Sequence, residues 1–540
     1  MDVCTCPFTT TYGALLFWTV AVPLLAAALL FLGSMPRNAA RVVAAIGFGV
    51  PLVGSLLLAC GFSDAARIAD YAFYSHVGLG LPAAGIALKM GLNGISMPLF
   101  VMAAIVGFAA GIYAIGGKQD RQQFYLGLLL TMFGGVLGLF ASIDLFFFYF
   151  FHELALIPTF IMIGIWGGSA RRIAAIEMTI YLTLGAMLVL AGFVAIYVAT
   201  GRNFADGVGT FDFITLRQII AEMPLSAIAE KWIFGILLIG FGILVSLFPF
   251  HTWAPRGYAN APASAAMLHA GVLKKFGLYA IIQMIAPLFP HGAAEWTGLL
   301  VVLAVCNVLV IGFITMAQKD LRYMLGYSSV MHMGYAFLGI ATMGILGIGG
   351  AVMMMFAHGL AVAALFLMAD CVAKRNGGST DMTTLGGMVK HTPILAAFFA
   401  AAIFASAGLP GFANFWGELS IFTAVFGMSK ILGALTVLGI IISAIYGLRA
   451  VASIFFGKHS AAYEKKIASG DVPADLSFAE KAPILVLLGA LMFVGFWPRS
   501  VGDNLNKELS LKYPPAPVQQ VLPAAVAGNS TSAVPAAKAE

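Results

Sequence analysis

Polar and apolar positions along this chain separate into blocks instead of alternating. Nearly unbroken apolar stretches of about 20 residues, such as Leu15–Leu32, Val42–Cys60, Ile180–Val198 and Ile233–Phe250, follow one another with short polar breaks between them. A helix that crosses a bilayer needs ~20 consecutive apolar residues. In hydrocarbon such a helix satisfies all its backbone groups within one segment. The blocks predict fourteen spans, over 14–33, 40–61, 90–115, 124–142, 144–167, 175–199, 232–253, 262–286, 297–316, 323–343, 346–372, 393–421, 431–456 and 483–498. The break between the fourth and fifth is the least marked. The expected fold class is therefore an all-α integral membrane protein, with residues 1–500 as one transmembrane domain and 501–540 as a C-terminal tail, disordered towards its end. That tail is rich in Pro and Ala from Pro514 and has no apolar periodicity.

Composition agrees. Of 540 residues, 61% are hydrophobic and 10% charged, against about 25% charged in soluble domains. The formal charge of +6 includes no basic block with interleaved aromatics, so nucleic acid is not an expected partner. Alternate loops divide the charge unevenly. One side of the membrane receives 17 of the 29 Lys and Arg, including Arg171, Arg172, Lys319 and Arg322 in short loops. The positive-inside rule puts that side in the cytoplasm, and both termini on the other, periplasmic side. Met1–Gly13 carries no Lys or Arg, so the first helix reads as retained, not cleaved as a signal peptide. Cys4 and Cys6 are one residue apart with no Cys or His cluster near them, which argues against a metal site. Cys60, Cys306 and Cys371 lie in apolar runs and read as packing.

Two spans are interrupted, by SLFPFHTW (246–253) and by GLPGFANFWGE (408–418). Proline removes a backbone hydrogen bond, and irregular backbone at membrane depth persists only where protein buries it or water lines it. Pro249 falls in the seventh span, and Pro410 with Gly411 in the twelfth. An offset of five inverts the second copy, so the pair predicts two inverted five-helix repeats, about 124–286 and 297–456, with a site at the breaks. Pro and Gly are also common in membrane helices generally, which leaves two unrelated breaks as the alternative.

Ionisable groups inside spans cost about 2.5–3.5 kcal/mol each on insertion scales. This chain carries Glu153, Lys274, Lys275, His332, His358 and Glu418 well inside its spans. Burial raises a carboxyl's pKa and lowers an amine's, and histidine titrates near neutrality. Chains of such groups mark proton relays. A single membrane histidine also serves as a helix–helix hydrogen-bond partner, and Glu153, beside His152, has a structural alternative. Lys274 and Lys275 stand about 100° apart on a helix, so at most one is expected on the relay. His251 and Trp253 follow the first break, where they also fit interfacial anchors. Glu177 and Asp370 lie near span ends and fit a snorkelling or interfacial role. No Walker loop, dinucleotide fingerprint or zinc-spaced Cys/His set is present.

The stretches FHELALIP (151–158), PFHTW (249–253), AGVLKK (270–275), YSSVMHMGY (327–335), AHGL (357–360) and GLPGFANFWGE (408–418) resemble the antiporter-like membrane subunits of the proton-translocating NADH–quinone oxidoreductase, respiratory complex I. Within that family they are most similar to subunit M. The match runs from about the third to the fourteenth span. The resemblance implies a proton pathway along Glu153, Lys275, His332, His358 and Glu418, driven by electron transfer in other subunits. It implies no cofactor in this chain, with FMN, iron–sulfur clusters and quinone held elsewhere. It implies subunits L and N as neighbours in a bacterial inner membrane. Glu418 stands where most other members carry lysine, which favours subunit M. One position departs from the pattern: the family's seventh-span lysine, seven residues before the histidine matching His251, is here Leu244. Lys274 and His251 are the additional relay candidates that this raises. The alternatives are a cation/proton antiporter or membrane-hydrogenase subunit, or a structural spacer that does not pump.

Overall fold

The computed structural model describes residues 11–202, 207–458, 461–470 and 472–513. Cys4, Cys6 and the tail from Pro514 lie outside the described residues. Helices cover all fourteen predicted segments, and twelve of them are long and apolar enough to cross a membrane. The protein is a polytopic α-helical membrane protein. Of the other two segments, Leu321–Ala341 is a 21-residue helix whose inward polar residues lower its hydropathy. The other is the twelfth span, split into Pro393–Ser406 and Ala413–Met428.

The eighth and eleventh spans are central. The apolar windows of Ala263–Leu288 and Ile345–Arg375 are wholly buried, whereas those of the first, second, sixth, ninth, thirteenth and fourteenth are 39% buried and face outward. The centre of the bundle therefore excludes lipid, and any ionisable group on these two helices must find partners in protein.

Five features depart from the predicted spans. Residues 62–89, expected as a loop, form with the start of the predicted third span a sheet of β1 (Arg67–Ile68), β2 (Tyr71–Leu81) and β3 (Ile86–Leu92), antiparallel in that order. The third helix begins only at Ser96, because Asn93 Oδ1 accepts the N–H groups of Ile95 and Ser96 and turns the chain there. A short helix, Phe213–Glu222, precedes the seventh span, and an amphipathic helix, Arg499–Lys512, occupies the start of the expected tail. The eighth span is not one α-helix: a 3-10 turn, Leu273–Lys275, and a π segment, Ile281–Ile285, interrupt it. Side-chain hydrophobicity carries no signal for such changes of hydrogen-bond register, so they are invisible in the apolar pattern.

Two matching devices fasten span ends to distant loops. The fifth span, Leu145–Trp166, opens on Asp144, which bridges Asp212, and the tenth opens on Asp320, which bridges Asp381. Asp144 is fully buried. Its Oδ1 accepts from the N–H groups of Phe146 (2.9 Å) and Phe147 (3.1 Å), and its Oδ2 from that of Ala87 in β3 (3.2 Å). Burial dominates over these donors and pushes its carboxyl up to about 6. The folded state therefore holds the proton more tightly than the unfolded chain. That contribution to stability is complete below the ordinary carboxyl range and is lost as pH rises through about 6. Thermal unfolding in detergent should show wild type losing stability relative to Asp144→Asn between about pH 4 and 6, while Asp144→Ala costs about 1 kcal/mol as a lost cap. A wild-type-minus-Asn difference that does not change with pH would contradict this assignment.

Candidate functional site

The site begins where the eighth and eleventh spans touch. A Cβ on Gly271 would lie 3.0 Å from the Gly359 carbonyl oxygen, and one on Gly359 would lie 2.7 Å from that of Gly271. Only glycine on both helices permits this approach. The contact brings Lys275 Nζ to 3.0 Å from His358 Nδ1. Lys275 also donates to the Ala270 carbonyl, left free where the helix gives way to the 3-10 turn. The chain of groups continues from His358 to His332, with ring centroids 5.6 Å apart. Lys275 and His332 are fully buried, and His358 is 2% exposed.

His332 faces two carbonyls: Nδ1 lies 2.7 Å from Ser328 O, and Nε2 lies 3.0 Å from Ser406 O. A neutral imidazole has one N–H and satisfies one of them; a protonated ring satisfies both. The geometry suits a group that takes up and releases a proton. Ser406 ends the first half of the twelfth span, so this contact also caps a carbonyl that the break would otherwise orphan. A narrow enclosed crevice beside His332 is lined by Ser328, Ser406, Ser443 and Tyr446, and Ser328 and Tyr446 share a 2.6 Å hydrogen bond.

Glu418 lies on the second half of that span, 4% exposed, and no cation pairs with it among the described residues. Its carboxylate occupies the space beside Gly408, where a Cβ would lie 2.0 Å from Oε2. Gly408 also has φ +74°, so both the turn and the carboxylate require glycine. His332 and Glu418 thus meet the same break from two sides.

The seventh-span break is held differently. Ala227–Val245 ends at Ser246, and helix resumes over Trp253–Asn260. Asn307, fully buried on the ninth span, accepts from the Phe248 N–H (2.6 Å) and donates to Ser246 O (3.3 Å) and Val330 O (3.1 Å). Trp253 Nε1 donates to Ile243 O across the gap at 3.0 Å. One side chain therefore ties the first break to the tenth span, two residues from His332.

The other predicted groups stand apart from this chain. Glu153 has its carboxylate 3.4 Å from His152 Nδ1, and its side chain is 30% exposed. His152 stacks on Phe276 at 4.0 Å, next to Lys275. Lys274 turns away from Lys275, to Ser329 Oγ (3.4 Å) and the ring of Tyr258 (5.5 Å); a 3-10 turn sets neighbours ~120° apart. No ion pair joins Lys274 to Glu153 among the described residues. His251 Nδ1 lies 3.2 Å from Pro249 O. Leu244 is buried against Gly185. Glu177 and Asp370 are ion-paired with Arg256 and Arg322, each at 2.8 Å.

Two groups escaped the sequence reading. His269, 3% exposed with Nδ1 unpartnered, sits between the rings of Trp253 and Tyr258. The criterion that singled out His332 applies equally to it. Asn307 is a lone amide in an apolar span, the same kind of signal in a weaker form. Among the described residues, no group of three or more His, Cys, Asp or Glu is placed to hold a metal ion.

Residues 142–443, which include Lys275, His358, His332 and Glu418, match the family described as NADH:quinone oxidoreductase/Mrp antiporter, transmembrane. This chain belongs to that family. NAD(P)H-quinone oxidoreductase chain 4 1 of Picosynechococcus sp. is 31% identical over 507 residues, 92% of this chain and 90% of the relative. NADH-quinone oxidoreductase subunit M of Escherichia coli is 30% identical over 437 residues, 79% of this chain and 83% of the relative. A chain of the solved respiratory complex I from Thermus thermophilus with bound NADH superposes with a TM-score of 0.80 at 29% identity, covering 92% of this chain and 99% of that one. The protein is thus an antiporter-like membrane subunit, of a kind found in multi-subunit membrane complexes.

The Asn307 clamp generates a prediction. Asn307→Leu leaves the Phe248 N–H and the Ser246 carbonyl at the break without a partner, while the Val330 carbonyl keeps its bond within the tenth span; each orphaned group costs about 1–3 kcal/mol. Relaxation at the break recovers part of that, so a net loss of about 3 kcal/mol is expected in unfolding titrations in detergent. Asn307→Asp keeps the acceptor for Phe248 and, once protonated, a donor for one of the two carbonyls, so at low pH it should lose less. Equal losses for the two variants would argue against the clamp.

Proposed function

We propose that this antiporter-like subunit is the M-type membrane-arm subunit of a complex I-type NADH–quinone oxidoreductase and gives that complex a proton-translocation pathway. The observation that carries the reading is the 3.0 Å contact of Lys275 with His358, continued by His332 and the Glu418 break in the buried centre of the bundle. At that distance one proton passes between amine and imidazole without rearrangement of the helices. In the proposed order, Lys275 exchanges its proton with His358, His332 takes it up between its two carbonyls, and Glu418 receives it at the second break. Glu153, partly exposed on the fifth span, supplies the electrostatic link towards a neighbouring subunit. Each charge moved against 100 mV requires ~2.3 kcal/mol. Electron transfer through FMN, iron–sulfur clusters and quinone in other subunits is its source. The neighbours are antiporter-like subunits of the L and N types, in a bacterial inner membrane.

The finer architecture belongs to the same proposal. Counting the split twelfth span and Leu321–Ala341, the chain crosses fourteen times, within one domain over 1–500. The two inverted repeats, about 124–286 and 297–456, are supported by the recurrence of an aspartate bridge at Asp144–Asp212 and, five spans later, at Asp320–Asp381. The asymmetry of Lys and Arg between loops supports termini on the periplasmic side.

Leu244 motivates a second reading, a spacer subunit that no longer pumps, because an apolar side chain packed on Gly185 replaces a charge. The buried Lys275, His332, His358 and Glu418 weigh against it, since a spacer would carry their cost for nothing. The family also embraces Mrp antiporters; purifying the chain with its native partners separates that role from the one proposed.

Proton-to-electron ratios of the intact complex in proteoliposomes test the proposal. Lys275→Met should slow proton transfer through this subunit at least about a hundredfold, the low end of what a positioned acid–base group contributes, and so lower the ratio. Glu418→Gln should lower both pumping and turnover. Leu244→Lys should leave the ratio unchanged. A ratio raised by Leu244→Lys, with Lys275→Met silent, would favour the spacer.

A further inference from the structure

A second buried ionic cluster lies away from the midplane, on the membrane face that carries β1–β3. The helix Arg499–Lys512 follows the fourteenth span and packs on this face with Leu505, Glu508, Leu509 and Lys512 inward. Glu508 is 1% exposed and Lys512 9%. Two such charges cost several kcal/mol each to bury unless closely paired, yet Nζ and Oε1 are 3.8 Å apart. Nζ has no hydrogen-bond partner and sits 5.7 Å above the ring of Tyr71. The carboxylate accepts from Asn93 Nδ2 (3.0 Å) and the Gly94 N–H (3.4 Å), with Arg67 at 3.5 Å. A helix that served only as a strap would be held by Leu505 and Leu509 and would need no buried ion pair.

The cluster stands over the irregular end of the eighth span. Gln283, in the π segment, donates from Nε2 to Tyr71 Oη at 2.8 Å, and its Oε1 is buried without a partner. Tyr513, just past the amphipathic helix, donates to the Ile282 carbonyl at 2.7 Å. π segments within helices recur at functional sites. Tyr279 lies between Gln283 and Lys275, one turn from each. Stacked rings of Phe148 and Phe276, 4.7 Å apart, close that turn. On the far side of the pair, the Asp70–Arg217 ion pair lines an open cleft.

We propose that Glu508 and Lys512 form a proton-exchange site on the sheet face, reached from Lys275 past Tyr279, Gln283 and Tyr71 by water that enters beside the Phe148–Phe276 rings. The Lys275 ammonium releases its proton to a water held by Gln283 and Tyr71, and the Glu508 carboxylate accepts it. Lysine becomes a neutral amine and glutamate a neutral acid. Glu508 then passes the proton to water in the cleft beside Asp70, with Lys512 holding the restored carboxylate. This outlet rests on the reading that Lys275 carries protons, and it adds a route that the His358–His332–Glu418 chain does not use.

The test uses the intact complex in proteoliposomes. In a chain whose five cysteines are replaced, Gln283→Cys should react during turnover with a membrane-impermeant thiol reagent added on the sheet face. Glu508→Gln should lower the proton-to-electron ratio, and Glu508→Asp should restore part of it. An unreacted thiol overturns the outlet. So does a wild-type ratio in Glu508→Gln, even if less complex assembles, because the helix is then only a strap. Lys275→Met runs beside them. If it lowers the ratio while Glu508→Gln does not, the midplane pathway stands and the outlet alone falls; if it changes nothing, the pathway itself falls.

Discussion

Hydrocarbon offers no hydrogen bonds, and the centre of this protein is arranged around that deficit. Every helix break at membrane depth frees backbone groups that must be met by protein. Every buried charge needs a partner of the right type. Here the same side chains answer both demands. His332 caps the carbonyl released at the twelfth-span break and faces a second carbonyl with its other ring nitrogen. Lys275 meets the carbonyl of Ala270 where the eighth span changes register and contacts His358 with the same ammonium. In the proposed pathway, backbone repair and proton chemistry occupy the same few atoms.

This sharing ties the two halves of the chain together. Asn307 binds the seventh-span break with its carbonyl and amide and reaches the tenth span beside His332. A shift in the first broken helix is felt two residues from the histidine without any long lever. The contact of Gly271 with Gly359 fixes the central pair of helices closely enough for a lysine to meet a histidine head-on. Protein interiors are close-packed and do not deform continuously, so movement of these parts proceeds by exchange of partners.

Charges away from the centre follow a different rule. Glu177 with Arg256, Asp370 with Arg322 and Lys374, and Glu480 with Arg375 are paired at distances of 2.8–3.1 Å near span ends. They brace loops and helix termini. Glu418 and Glu153 have no such cation among the described residues. Asp144 lacks one too, but its oxygens accept from three backbone N–H groups; no such capping role falls to Glu418 or Glu153 among the described residues. Leu244 fits this pattern, since its packing against Gly185 leaves Glu153 without a lysine across the bundle.

The sequence alone determined the class of protein, the position of the helices and the identity of most candidate groups. Apolar blocks of spanning length have one stable form in lipid, and an ionisable residue inside such a block stands out whatever the fold, as Glu153, Lys275, His332, His358 and Glu418 do. The proline motifs placed both breaks for the same local reason. Tertiary structure alone decided which of these groups meet. Helical periodicity does not choose between Lys274 and Lys275; the resemblance favoured Lys275, and the 3-10 turn sends it to His358 and Lys274 to Ser329. The sheet over 67–92, the π segment and the buried face of Arg499–Lys512 were likewise decided by partners far away in the chain. Hydrogen-bond register and the pairing of distant side chains are set by three-dimensional neighbours, and residue order carries no local signal for them.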